Sequence, residues 1–310
     1  MAFELYPYIN AEREYMVIKT SAAGKNVITY LLLTFLFSSV FYYLIISNDH
    51  LSAGHGMFVL GIMWCPALAA VITSLLRGVK ISEMGWKPKP VKYLLVSYLL
   101  PIVYALVTYI IIWVSGAGGF YNKEFVEKIS MHTGFPGLPS GLAIFIFILL
   151  TGTLGMAGSL LSALGEEIGW RGFLVPQLAK NHSYAATSII VGIIWSLWHY
   201  PILLFADYNN GAPAWFSLTC FTVLVISISF AFTWLRLKSG TLWTGAILHA
   251  SHNLFIQAIF TPLTFNTGYT KYFIDEFGIG LPLAAVIVAV IFWKKRKDLS
   301  VQNFDMPKIN

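Results

Sequence analysis

A chain of 310 residues that is 57% hydrophobic, 16% aromatic and only 11% charged is too oily for a soluble domain, in which about 25% of residues carry charge. Its net charge of +6 does not indicate nucleic acid, because the basic residues sit in short loops between apolar runs, where they orient a membrane protein. The only two cysteines, Cys65 and Cys220, each lie within an apolar run, so neither a disulfide framework nor a cysteine metal site is indicated. The class is an all-α polytopic membrane protein.

The first 25 residues carry Glu4, Glu12, Arg13, Glu14, Lys19 and Lys25 and do not look like a cleavable signal peptide, so the first apolar run is expected to act as an uncleaved anchor. A hydrocarbon core about 30 Å thick needs about 20 apolar residues in a helix. Eight runs meet that demand: Asn26 to Ser47, Gly56 to Leu76, Tyr93 to Ser115, Leu142 onward, Tyr184 to Ala206, Trp215 to Leu235, Thr241 to Phe260, and Ile279 to Trp293. The fifth and seventh are the least uniform, since they contain His199, His249, His252 and Asn253, and the last is short. With eight spans, 17 of the 20 Lys and Arg residues fall on one side and only Lys123, Lys128 and Lys271 on the other. That bias predicts that both ends face the cytoplasm, with Lys294-Lys295-Arg296-Lys297 as the last inner stop. Connections are short and no repeat is visible, so residues 1–310 read as a single membrane domain.

In the second run, Pro66 among Ala67, Ala69 and Ala70 predicts a kinked helix packed closely on its neighbours. Between Gly116 and Gly141, Lys123, Glu124, Glu127 and Lys128 alternate with Phe125, Val126 and Ile129, which predicts a short interfacial helix.

Twelve of the fourteen acidic residues fall in tails or loops, leaving Glu166 and Glu167 as the two expected at membrane depth. Nothing forces the fourth helix to stop before Pro176, so it is expected to carry this pair inward. Glu167 and Arg171 are four apart and share a helix face as an ion pair, whereas Glu166 points about 100° away and is left free. An unpaired carboxylate near lipid is costly and tends to be kept for chemistry or transport. His199 follows Trp195 by four residues and, taken alone, reads as an interhelical hydrogen-bonding histidine. His249, His252 and Asn253 lie near one face of the seventh helix. Polar groups in membrane helices also serve as glue between helices, but acid, imidazole and amide groups on three separate helices favour a shared site.

Glu166 and His199 could hold and deprotonate a water, with His249 and Asn253 donating hydrogen bonds to the oxyanion that forms on a peptide carbonyl. Alternatively, Glu166, His199 and His249 could bind a divalent metal such as zinc. The soluble zinc-protease signature H-E-x-x-H is absent, and no serine occupies a G-x-S-x-G elbow.

These three motifs, in order, resemble those of the CPBP family of intramembrane proteases, which includes the endopeptidases that trim prenylated CAAX proteins and the bacteriocin-related Abi proteins. E-E-x-x-x-R matches Glu166, Glu167 and Arg171. Aromatic-x-x-x-H is met by Trp195 and His199, with tryptophan in place of the more usual phenylalanine, and H-x-x-x-N by His249 and Asn253. The resemblance spans about Leu142 to Phe260, a catalytic core of residues 142–260. It implies that Glu166 and His199 activate water, that His249 and Asn253 stabilise the oxyanion, and that Glu167 with Arg171 braces the site. It implies a membrane-associated or lipidated peptide substrate and leaves open whether the chemistry is of the glutamate or the metalloprotease type. His252 lies outside the pattern and reads as a supporting group. A proton-coupled transporter and a silent membrane scaffold are the rival readings.

Overall fold

The computed structural model describes residues 6–48, 51–132, 137–206 and 208–299. The charged leading tail is therefore only partly within the described residues, and 133–136 of the long connection lie outside them. The chain runs α1 (Tyr6–Ile46), α2 (Met57–Arg77), α3 (Val91–Ser115), α4 (Lys123–His132), α5 (Ser140–Leu178), α6 (Tyr184–Phe205), α7 (Ala214–Ser239), α8 (243–263) and α9 (Gly280–Lys294). The one ladder among the described residues pairs β1 (Gly119–Phe120) with β2 (Thr264–Phe265), antiparallel.

Six of these helices, α1 from Ala22, α2, α3, α5, α6 and α7, are long and apolar enough to cross a membrane. The expected count of eight is not reached on that measure. The two that fall short are the seventh run, α8, diluted by its histidines, and the eighth, α9, which is 15 residues long. The fourth helix does continue past Pro176, to Leu178. The predicted helix in the long connection is α4, laced by Lys128 to Glu124 at 2.7 Å and Lys123 to Glu127 at 3.8 Å.

Polarity is distributed as lipid requires: Val114 is 85% and Leu75 72% exposed on the outside, while Thr34, Thr73, Ser97, Ser188 and Thr244 are buried. In the interior, α7 packs on α6 and α9, α8 packs on α3 and α5, and α2 packs on α1 and α5. The contact of α2 with α5 is close because two glycines face Pro66 and its turn. A Cβ on Gly165 would lie 2.7 Å from the Met63 carbonyl, and one on Gly169 2.5 Å from Pro66 Cβ. These glycines bring the Glu166–Glu167 segment against the second helix, the close packing expected of it. At the other end of the site, α7 stops at Gly240 (φ 73°) and the chain reverses into α8, pinned to the loop before α3 by Leu242 N donating to the Gly85 carbonyl at 3.0 Å.

Candidate active site

Both glutamates of α5 are interior, Glu166 2% and Glu167 0% exposed. Arg171 Nη1 donates to Glu167 Oε1 at 2.7 Å, and both side chains are fully buried. Burying such a pair is costly unless its remaining polar atoms are satisfied, and Arg171 Nε and Nη2 and Glu167 Oε2 have no hydrogen-bond partner among the described residues. Here the guanidinium lies 4.2 Å from the Trp195 ring centre and 3.8 Å from that of Phe232, a cation–π sandwich. Arg236 Nε holds the Arg171 carbonyl at 2.7 Å. The helix relaxes into an i→i+5 turn over Ile168–Leu174, a distortion frequent at functional sites.

Glu167 also reaches across to α8, where His249 Nδ1 donates to the same Oε1 at 3.0 Å. A carboxylate only accepts, so the Nδ1 proton is fixed and Nε2 is the atom turned to other uses. The motif that braces Arg171 thus orients the imidazole of another motif.

Glu166 is not the free carboxylate expected from helix geometry. Its Oε2 accepts from Trp195 Nε1 at 2.7 Å and from Trp170 Nε1 at 3.2 Å. The carboxyl has no ion-pair partner among the described residues, but two indoles fix its direction. Trp195, the departure from the usual phenylalanine, is one of those two donors. His199 differs from expectation as well: its Nδ1 donates within its own helix, to the Trp195 carbonyl at 2.8 Å, and its ring packs on Trp198 and Phe221 at 4.8 and 5.0 Å. Nε2 of His199 is left with no hydrogen-bond partner among the described residues.

Glu166, His199, His249 and Asn253 all line one cavity of about 250 Å³. The rest of its wall is largely apolar, with Ile62, Met63, Phe221, Leu224, Val225 and Phe232. Trp195 lies between the motifs, its ring 6.1 Å from that of His199 and 5.3 Å from that of His249. Three distant stretches therefore meet, and every residue of the three motifs is at the cavity or directly behind it.

A second acid at the cavity was not legible. Glu276, counted in sequence among loop carboxylates, is 6% exposed and lines the cavity together with His252, Gln257 and Tyr208. Burial works against its ionised form, but donors from His252 and Tyr208 outweigh that and hold its pKa below the usual carboxylate range. Only the i,i+3 spacing of His249 and His252 hinted at this side of the site.

As for a metal, no three His, Cys, Asp or Glu side chains among the described residues form a group that could hold an ion. Glu166, His199 and His249 share the cavity without forming such a group.

Residues 145–255 match the family described as Type II CAAX prenyl endopeptidase Rce1-like. Over 86 residues the chain is 34% identical to CAAX prenyl protease 2 of Methanococcus maripaludis, a stretch amounting to 26% of this chain and 31% of that protein. The family match encloses Glu166 through Asn253 and ends before Glu276. The three motifs all lie inside that match, so this part of the chain is similar to the CPBP family of intramembrane proteases, while the aligned stretch spans about a third of the curated relative's length.

Proposed function

We propose that this chain is an intramembrane endopeptidase that hydrolyses a peptide bond of a membrane-associated or lipidated peptide. The observation that carries the reading is the shared cavity wall of Glu166, His199, His249 and Asn253. Water would sit between the second oxygen of Glu166 and Nε2 of His199, both free of other partners among the described residues. Glu166 takes a proton as the water oxygen adds to the scissile carbonyl carbon. It then returns that proton to the departing nitrogen as the C–N bond breaks. The oxyanion would be met by the Asn253 amide and by His249 Nε2. Because Nδ1 of His249 already donates to Glu167, Nε2 donates only from the imidazolium form, whose charge the Glu167 carboxylate would balance. Each such donor is worth about 2.7–4 kcal/mol of transition-state stabilisation.

The apolar remainder of the cavity suits a lipid-bearing peptide, and the relative's name makes a prenylated peptide ending in Cys-aliphatic-aliphatic-X the first probe. Both ends of the chain are assigned to the cytoplasmic side of the cell membrane by the bias of Lys and Arg. A divalent ion such as zinc on Glu166, His199 and His249 is a second form of the same reading. It is favoured by the two imidazoles whose Nδ1 atoms are engaged elsewhere, as in ligands oriented from behind.

The test is cleavage of that probe in vesicles by the wild type and by Glu166→Ala. The reading expects product from the first and none from the second; full turnover by Glu166→Ala refutes it. Uptake driven by a pH gradient, with no peptide product, would instead mark a transporter.

A further inference from the structure

Outside the family match, the connection between α8 and α9 folds back toward the cavity. It is stapled to α3 at its start, where Trp113 Nε1 donates to Thr264 Oγ1 at 2.9 Å, and near its end, where Asp275 N donates to Tyr109 OH at 3.1 Å. Asp275 adopts φ 62°, a left-handed conformation uncommon for a residue with a side chain, and the next side chain, Glu276, enters the protein. Its Oε1 accepts from His252 Nε2 at 2.9 Å, and its Oε2 from Tyr208 OH at 2.5 Å and Gln257 Nε2 at 3.2 Å. The other nitrogen of His252, Nδ1, accepts from Tyr104 OH. Both ring nitrogens are therefore occupied, and His252 has no nitrogen left to hydrogen-bond a substrate.

We propose that Glu276 and His252 are a positioning pair that sets Asn253 for the reaction. This rests on the endopeptidase reading above and extends it beyond the three motifs. Asn253 lines the cavity, and its amide has no hydrogen bond of its own among the described residues; nothing local fixes where it points. It is also the first residue of an i→i+5 stretch, Asn253–Phe260. Such turns replace the regular ladder with i→i+5 bonds and are frequent at functional sites. The tertiary contact adjoining Asn253 is His252, held at both ends of its ring. A carboxylate with three donors makes a stiff anchor, since charge-assisted hydrogen bonds are roughly twice as strong as neutral ones. The two imidazoles of α8 are thus held from opposite sides: His249 by Glu167 of α5, His252 by Glu276 of the returning connection.

The test uses the full chain in vesicles and the prenylated peptide probe. Glu276→Ala is expected to lower kcat by on the order of 100-fold, as a donor displaced by about 1 Å can, and to leave KM within about threefold because both Glu276 oxygens are already bound by protein donors. Glu276→Gln, which keeps the acceptor for His252, is expected to recover most of that loss. Tyr104→Phe removes the other anchor without altering the cavity wall and carries the test if Glu276→Ala does not fold; it is expected to cost kcat about tenfold. Combined with Asn253→Ala, either change is expected to add less than about threefold, because groups acting as one unit are not additive. Wild-type kcat in both Glu276→Ala and Tyr104→Phe, or losses that multiply with that of Asn253→Ala, overturns the proposal while leaving the endopeptidase reading standing. Absence of Glu166-dependent cleavage by the wild type overturns both.

Discussion

Glu167 Oε1 takes a hydrogen bond from His249 Nδ1 at 3.0 Å across 82 residues of sequence, and takes one from Arg171 Nη1 at 2.7 Å as well. One buried oxygen thereby ties the first motif to the third. Removing it leaves a fully buried guanidinium without its counter-charge and an imidazole without its orienting partner. Glu167→Ala is expected to destabilise the protein by about 3–5 kcal/mol and to abolish cleavage. Thermal unfolding in detergent micelles checks the first, and probe cleavage in vesicles the second.

Trp195→Phe introduces the phenylalanine more usual in the family that the motifs resemble and removes the 2.7 Å donor to Glu166 Oε2. A hydrogen bond to a charged group is worth about 1.5–3 kcal/mol, so kcat/KM is expected to fall about 10- to 100-fold. The aromatic face over Arg171 is kept, and the unfolding midpoint should stay close to that of the wild type. Unchanged kcat/KM would mean that Trp170 alone suffices to aim the carboxylate.

Gly245 faces the ion pair. A Cβ there would lie 2.5 Å from Glu167 Oε2 and 3.1 Å from Arg171 Cγ, and neither buried group has room to retreat. Gly245→Ala is expected to lower both activity, by more than about tenfold, and stability. Gly158→Ala on α5 is the matched control: nothing lies within 4 Å of its Cβ position, so the change should be neutral or stabilise the helix by about 0.5–1 kcal/mol. Parallel melts and cleavage assays separate the two outcomes.

Extraction with a chelator is expected to leave cleavage intact, because the acid and imidazoles at the cavity form no group that could hold an ion among the described residues. Activity is measured together with the bound metal content. Loss that zinc restores would transfer the reaction to the ion-binding form of the site.

Much of the site could be read from spacing alone. Glu167 and Arg171 announced their pairing by four-residue separation in a helix, and His249 and Asn253 their common face in the same way. The oily surroundings made each polar group conspicuous. Glu166 was only half legible: its separation from Arg171 was correct, but the indole of Trp195 comes from another helix, and Trp170 Nε1 is a donor that helical spacing alone does not single out. Glu276 was hidden for a different reason. It sits among ordinary loop residues, and its burial comes from a connection that turns inward at Asp275, a tertiary event with no periodic signature. Of the eight spans expected, six are long and apolar enough to cross a membrane; α8 falls short because it is largely covered by protein and need not be as apolar as a lipid-facing helix, and α9 because it is short.

The central claim is that Glu166 directs a water onto a peptide carbonyl in the cavity. The measurement closest to it is mass spectrometry of the prenylated probe after incubation with wild type and Glu166→Gln in H₂¹⁸O. We expect the wild type to release a product whose new C-terminal carboxylate carries ¹⁸O, and Glu166→Gln, folded to the same melting midpoint, to release none. Labelled product at the wild-type rate from Glu166→Gln would contradict the account.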